Sequence, residues 1–247
     1  MNTRMTPAAI FFAILSLFVS ASLVHAQDID WSGSGELGLV VNRGNSESES
    51  ANAKLEVLVQ KNNWSNESTA SGVYSRDSGN TSANRFVLAN RTDYQFGGHR
   101  YAVGALRYDR DRFSSFRYQG SVALGYGYRL IDTEIHRLRV EAGPGFRISE
   151  IRETSKQDDQ VIARGFFDYR WNVSETTEFN NKTLIEAGSD NTFAENVTSL
   201  SVAINSRVSL KTGITLRHNT EVDPGKKKTD FLSTVNLVYN FKPKSGE

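Results

Sequence analysis

Few residues of this chain are spaced for chemistry, and the clearest are His218 and Thr220. Residues two apart on an extended strand share a face, so a base at 218 could lie beside a hydroxyl at 220 and activate it. Serine is the usual nucleophile in such a pair, and no third polar group on a neighbouring stretch completes a set. Lipid hydrolysis therefore stands as a minor alternative. His99, beside Gly98, and His136, beside Ile135, sit at short breaks in the pattern, and no two histidines have metal-ligand spacing. The chain has no cysteine, which removes thiolate metal sites, iron–sulfur centres, cysteine nucleophiles and disulfides. No glycine-rich loop precedes a helix, so that nucleotide-binding device is absent. The expectation is a protein that is not an enzyme, with no catalytic, cofactor-binding or metal residue.

Charge alternating with apolar residues is far more abundant. The polar positions form one set: Glu36, Lys54, Glu56, Arg91, Asp93, Arg107, Asp109, Arg129, Arg139, Glu141, Arg147, Arg164, Asp168, Arg170, Lys182, Glu186, Lys211 and Arg217. Both signs are interleaved, for example Arg107 with Asp109, Arg139 with Glu141, Arg164 with Asp168 and Lys182 with Glu186. Such a set would line the lumen of a barrel, either plugging it by mutual pairing or bordering a narrow, weakly selective pore.

The elements that must position these charges are strands. Between Trp31 and Phe241 the period is 2 almost throughout. Tyr118, Val122, Leu124, Tyr126, Tyr128 and Leu130 oppose Gln119, Ser121, Ala123, Gly125, Gly127 and Arg129. No window repeats apolar residues three and four apart as an amphipathic helix would. Short breaks fall at 61–63, 97–98, 131–134, 173–176 and 205–206. Longer, more polar ones fall at 42–49, 77–80, 111–115, 153–159, 189–191 and 222–228. This alternation of short and long connections is that of a barrel across a membrane. The reading is all-β, a single antiparallel transmembrane β-barrel of about twelve strands, with about ten as the lower count. The lower count follows from weak alternation at 65–76 and 192–204, which are rich in Ser, Asn and Thr. Trp31, Trp64, Tyr94, Phe96, Tyr101, Trp171 and Tyr239 fall near strand ends, as an interfacial girdle would.

Composition sets the location. Among 247 residues, 29 Lys and Arg against 28 Asp and Glu leave a net charge of +1, which gives nucleic acid no electrostatic footing. Mean hydropathy is -0.45, and beyond the first residues no run has the roughly 20 apolar positions of a spanning helix. Residues 1–26 read as a cleaved secretory signal, with Arg4, an apolar Ala8–Val19 stretch and Val24-His25-Ala26 before the cut. Residues 27–247 are then the barrel, placed in the outer membrane of a Gram-negative bacterium. Its partners are outer-membrane lipids, periplasmic chaperones and the outer-membrane assembly machinery.

Several segments resemble a known family, the YdiY-like salt-induced outer-membrane proteins. They are Trp31-Ser-Gly-Ser-Gly-Glu-Leu-Gly38, Gly44-Asn45-Ser46, Tyr108-Asp-Arg-Asp-Arg-Phe-Ser-Ser115, Gly125-Tyr-Gly-Tyr128 and the Tyr239-x-Phe241 finish. The resemblance implies an outer-membrane β-barrel with no assigned catalytic residue and a link to salt stress. Together these readings point to a structural or stress-related envelope barrel, with a narrow channel for small solutes or ions as the alternative. One departure from barrel habit is the tail, Lys242 to Glu247, beyond the last aromatic residue.

Overall fold

Strands whose two faces differ this sharply need an inside and an outside, and a closed ring supplies both without leaving an edge. The computed structural model describes residues 29–42 and 47–242. Its strands are β1 (Asp30–Asn42), β2 (Ser48–Lys61), β3 (Trp64–Asp77), β4 (Asn80–Gly97), β5 (Arg100–Asp111) and β6 (Phe116–Asp132). They continue with β7 (His136–Ile151), β8 (Gln157–Asn172), β9 (Thr177–Gly188), β10 (Thr192–Ala203), β11 (Val208–Asn219) and β12 (Thr229–Asn240). Each strand lies beside its neighbours in the chain, and β12 returns to β1, closing a barrel of twelve strands. The predicted signal at 1–26, the Gly44-Asn45-Ser46 motif and the tail beyond Lys242 lie outside the described residues.

The outer face is apolar and bare. Leu124 is 70% exposed and Val161 72%, while their neighbours Ala123 and Ile162 are buried inside. An exterior belt of this kind is the mark of a transmembrane barrel, whose outer surface is solvated by lipid. Five connections, including Asn62-Asn63 and Gly98-His99, gather at one end, here the turn end, with the start of β1 and the finish of β12. Aromatic pairs collect there. Trp64 and Tyr94 rings lie 4.7 Å apart, Tyr169 and Phe179 6.3 Å, and Tyr239 and Phe241 6.0 Å.

Three expectations need correction. Tyr101 is not in this girdle. It shares the inward face with Val103 and is 1% exposed, because its ring lies over Gly127, where an added Cβ would stand 2.1 Å from it. At the opposite, loop end, neither the β3–β4 connection nor the β9–β10 connection at 189–191 is longer than the turns. Ser78 (φ 49°) and Gly79 (φ 80°) both take the left-handed region, the geometry of a two-residue hairpin turn. Finally, β8 begins at Gln157, inside the predicted 153–159 break. Gln160 is buried, and its amide bonds Asp158 at 2.9 Å.

Candidate functional site

The inward face of each strand delivers every second side chain to the bore, and the predicted polar set converges there in two tiers. Nearer the turn end, Glu141 of β7 accepts from three strands. Arg91 donates to it through Nε at 2.9 Å and again through Nη2, Arg164 donates at 3.0 Å, and the Tyr101 hydroxyl at 3.1 Å. Arg91 also reaches Asp93 at 2.6 Å. Arg139 pairs with Asp168 at 2.7 Å, and Phe166 lies beneath the guanidinium groups of Arg139 and Arg164. On the β1 side, Glu36 holds Lys211 at 2.8 Å, and Lys54 pairs with Glu56 at 2.7 Å.

Nearer the loop end, Arg85, Arg107 and Arg217 surround two carboxylates. Asp109 receives them at 2.8, 3.3 and 2.5 Å, and Glu195 at 3.1, 3.0 and 3.2 Å. The Phe193 ring sits between Arg107 and Arg217. Arg147, 1% exposed, donates instead to the carbonyls of Glu186 and Asn191, and the Glu186 carboxylate accepts from Ser121 at 2.8 Å. Arg129 lies over the Tyr101 ring, and Arg170 is the outlier, half-exposed and 3.8 Å from Glu178.

These partners are mostly not the ones expected along a single strand. Arg139 meets Asp168 rather than Glu141, Arg164 meets Glu141 rather than Asp168, and Lys182 meets Glu67 rather than Glu186. Residues four apart on a strand are about 13 Å apart, beyond reach, whereas cross-strand neighbours are about 5 Å apart. The two-apart pair Arg107 with Asp109 does form, whereas Arg139 and Glu141, also two apart, each turn to a cross-strand partner.

Among the described residues, ion pairs cross the bore itself between three pairs of opposite strands. Glu67 of β3 meets Lys182 of β9, Arg85 of β4 meets Glu195 of β10, and Asp109 of β5 meets Arg217 of β11. In each case the strands are six places apart on a ring of twelve, on opposite walls. A round barrel of that strand number would be about 24 Å wide. An extended Lys–Glu pair spans only about 14 Å between Cα atoms. The ring is therefore pinched, with β3–β5 drawn toward β9–β11. A cavity of about 310 Å³ remains, lined by Glu67, Arg85, Lys182 and Glu195 and by Asn52, Ser71, Thr215, Leu232 and Thr234.

Glu67, Arg85 and Glu195 are the central residues that sequence reasoning misses. Two of them lie where alternation fails, and the outer wall explains the failure. There, Asn66 and Ser68 on β3 face Thr92 and Asn90 on β4. Asn181 and Thr183 on β9 face Thr198 and Asn196 on β10. In the second set the two amides bond each other at 3.2 and 3.4 Å, and each reaches a hydroxyl across the strand at 2.7 Å. Thr183 and Thr198 donate back at 3.3 and 3.1 Å, completing six bonds in a closed clasp. The β3–β4 clasp repeats the design. The available signal was the repeated Asn-x-Ser/Thr spacing at 66, 90, 181 and 196.

The candidate base and hydroxyl do not meet. His218 Nδ1 is 2.9 Å from Thr229 Oγ1, whereas Thr220 Oγ1 accepts from the Thr192 amide. His136 stacks on Tyr169 and Trp171 at the turn end, and His99 packs near Tyr128. Among the described residues no group of three or more acidic or histidine side chains is arranged to hold a metal ion.

Residues 35–241 match DUF481, described as proteins of unknown function. The chain belongs to the DUF481 family. This DUF481 member is 24% identical over 210 residues to the uncharacterized protein YdiY of Escherichia coli (strain K12), covering 82% of this chain and 80% of that one. Among solved structures it is similar to an outer-membrane channel from Pseudomonas putida F1, with a TM-score of 0.53 at 11% identity over 88% of this chain and 97% of the other. It also aligns with the translocator domain of the autotransporter NalP from Neisseria meningitidis, at TM-score 0.47, 12% identity and 95% of each chain. At such identities the channel likeness is one of fold, the closed antiparallel barrel.

Proposed function

We propose that this DUF481 barrel sits in the outer membrane of a Gram-negative envelope, as a structural component with no catalytic role, its bore shut by its own ion pairs. The observation that carries this reading is the set of three bridges between opposite walls, Glu67–Lys182, Arg85–Glu195 and Asp109–Arg217. Paired charges of opposite sign neutralise the field that would draw one kind of ion, and their side chains occupy the path. The export signal read in residues 1–26 and the apolar exterior support the location. The salt-related resemblance supports service under osmotic stress, which growth of a deletion strain in raised salt would reveal.

Planar-bilayer recording of the purified barrel tests the closure. The expected result is no sustained open level, with a measurable leak once Arg139 and Arg164 are both replaced by alanine. A large steady conductance in the native protein would overturn it. The cavity of about 310 Å³ favours a second reading, a narrow channel for small solutes. Under that reading the native protein shows small, weakly selective steps, because acids and bases are nearly balanced along the wall.

A further inference from the structure

The ring closes weakly at one place. Pairing between β1 and β12 runs from Ser34↔Asn240 to Leu37↔Leu237, four pairs, whereas β11 holds β12 along eleven, from Val208↔Tyr239 to His218↔Thr229. The two strands still touch at Gly38, where the Val235 carbonyl would lie 2.8 Å from an added Cβ. Past that point β1 runs on through Leu39, Val40 and Val41, which are 66%, 59% and 62% exposed. Val40 belongs to the inward set with Glu36 and Gly38, so its exposure marks a gap in the wall rather than an ordinary outer position. Behind the gap lies the large cavity, to which β12 contributes Leu232, Thr234 and Asn236.

Hydrocarbon cannot satisfy the free amides and carbonyls of an open strand edge, and irregular backbone at membrane depth survives where it lines a wet cavity. This gap meets that condition. Its outer lip is apolar, its inner wall grades from Leu232 and Thr234 to the Lys211 and Lys54 ammonium groups, and its position faces the lipid belt. We infer that the unpaired half of the β1–β12 seam is a lateral portal, through which an acyl chain of the surrounding bilayer lipid enters the cavity. This rests on the reading that the chain spans a membrane. The cavity would thus serve a lipid-like amphiphile arriving from the side rather than a solute arriving along the axis.

The chain has no native cysteine, which makes single-site labelling clean. A bimane label is placed in turn at Thr234→Cys beside the gap, Gln119→Cys inside the opposite wall, and Leu216→Cys on the outer face. Each full-length variant is reconstituted in phosphatidylcholine vesicles carrying doxyl-labelled acyl chains. The portal requires quenching at 234 about fivefold stronger than at 119 and approaching that at 216, because only an open seam brings chains inside. Equal, weak quenching at 234 and 119, with strong quenching at 216, overturns the portal and leaves the membrane reading intact. No quenching at 216 overturns the membrane reading and the portal with it. An independent check uses paired cysteines under mild oxidant. Leu37→Cys with Leu237→Cys should cross-link readily, and Val41→Cys with Ser233→Cys, the same register continued beyond the last contact, should not, since a disulfide needs Cα atoms within about 7 Å. Equal cross-linking of the two pairs means a zipped seam and overturns the proposal.

Discussion

Replacing one asparagine of a lipid-facing clasp should harm the barrel more than replacing both. Asn181→Leu removes four of the six hydrogen bonds in the β9–β10 clasp, those to and from the Asn196 amide, Thr198 and Thr183. It leaves the Asn196 amide short of partners in an environment that offers none. Side-chain hydrogen bonds within membranes are worth about 0.6 kcal/mol each on average, and those in proteins generally about 1 kcal/mol. The single variant should therefore lose about 2–4 kcal/mol. Asn196→Leu, which also removes four, should lose a similar amount. In the double variant no amide remains unsatisfied, the two hydroxyls turn back to nearby carbonyls, and two leucines meet lipid. Its stability should lie within about 1 kcal/mol of the native protein. Urea unfolding in vesicles, followed by fluorescence of the native tryptophans, measures all four forms of the cycle. Additive losses, with the double variant worse than either single one, would falsify the closed-clasp account.

Other perturbations probe the interior and the topology. Gly127→Val forces a side chain into the Tyr101 ring, 2.1 Å from the new Cβ, and should cost about 3 kcal/mol in urea unfolding, with partial rescue by Tyr101→Ala. No loss would mean that the ring does not lie there. Glu195→Gln removes a carboxylate shared by three arginines and should cost about 3 kcal/mol, against under about 1 kcal/mol for Glu150→Gln, whose partner Arg117 is half-exposed. Equal effects would refute a desolvated interior cluster. With the short turns assigned to the periplasm and the longer loops to the medium, single cysteines at Asp132, where β6 finishes at the turn end, and Glu153 in a loop should differ in labelling by an impermeant thiol reagent on intact cells, with only 153 reacting. Equal labelling rejects the assigned orientation.

The fold was legible because a face that must meet lipid and a face that must meet charge write period 2 into every strand that does both. β6 and β12 show this in full, since Leu124 and Val235 point out while Ala123 and Asn236 point in. β3 and β10 obscured it, because Asn66, Ser68, Asn196 and Thr198 put hydrogen-bonded polar groups on the outer wall and made both faces look alike. The inward charges of the better-patterned strands could be picked out by parity. Their partners could not, because pairing depends on register between strands and on which walls approach. No local pattern around Glu67 announces a lysine 115 residues away.

The cross-bore bridges also bear on how the barrel is made. They join residues 108, 110 and 115 positions apart, while neighbouring strands are joined by connections of a few residues. Hairpins can form early at small entropic cost, but a bridge between opposite walls must wait until most of the chain has been gathered into a ring. Until then, Glu67, Lys182, Arg85 and Glu195 stay hydrated, and the incomplete barrel keeps a wet centre. Closing the ring and pairing its interior charges across the bore then become one late, cooperative event.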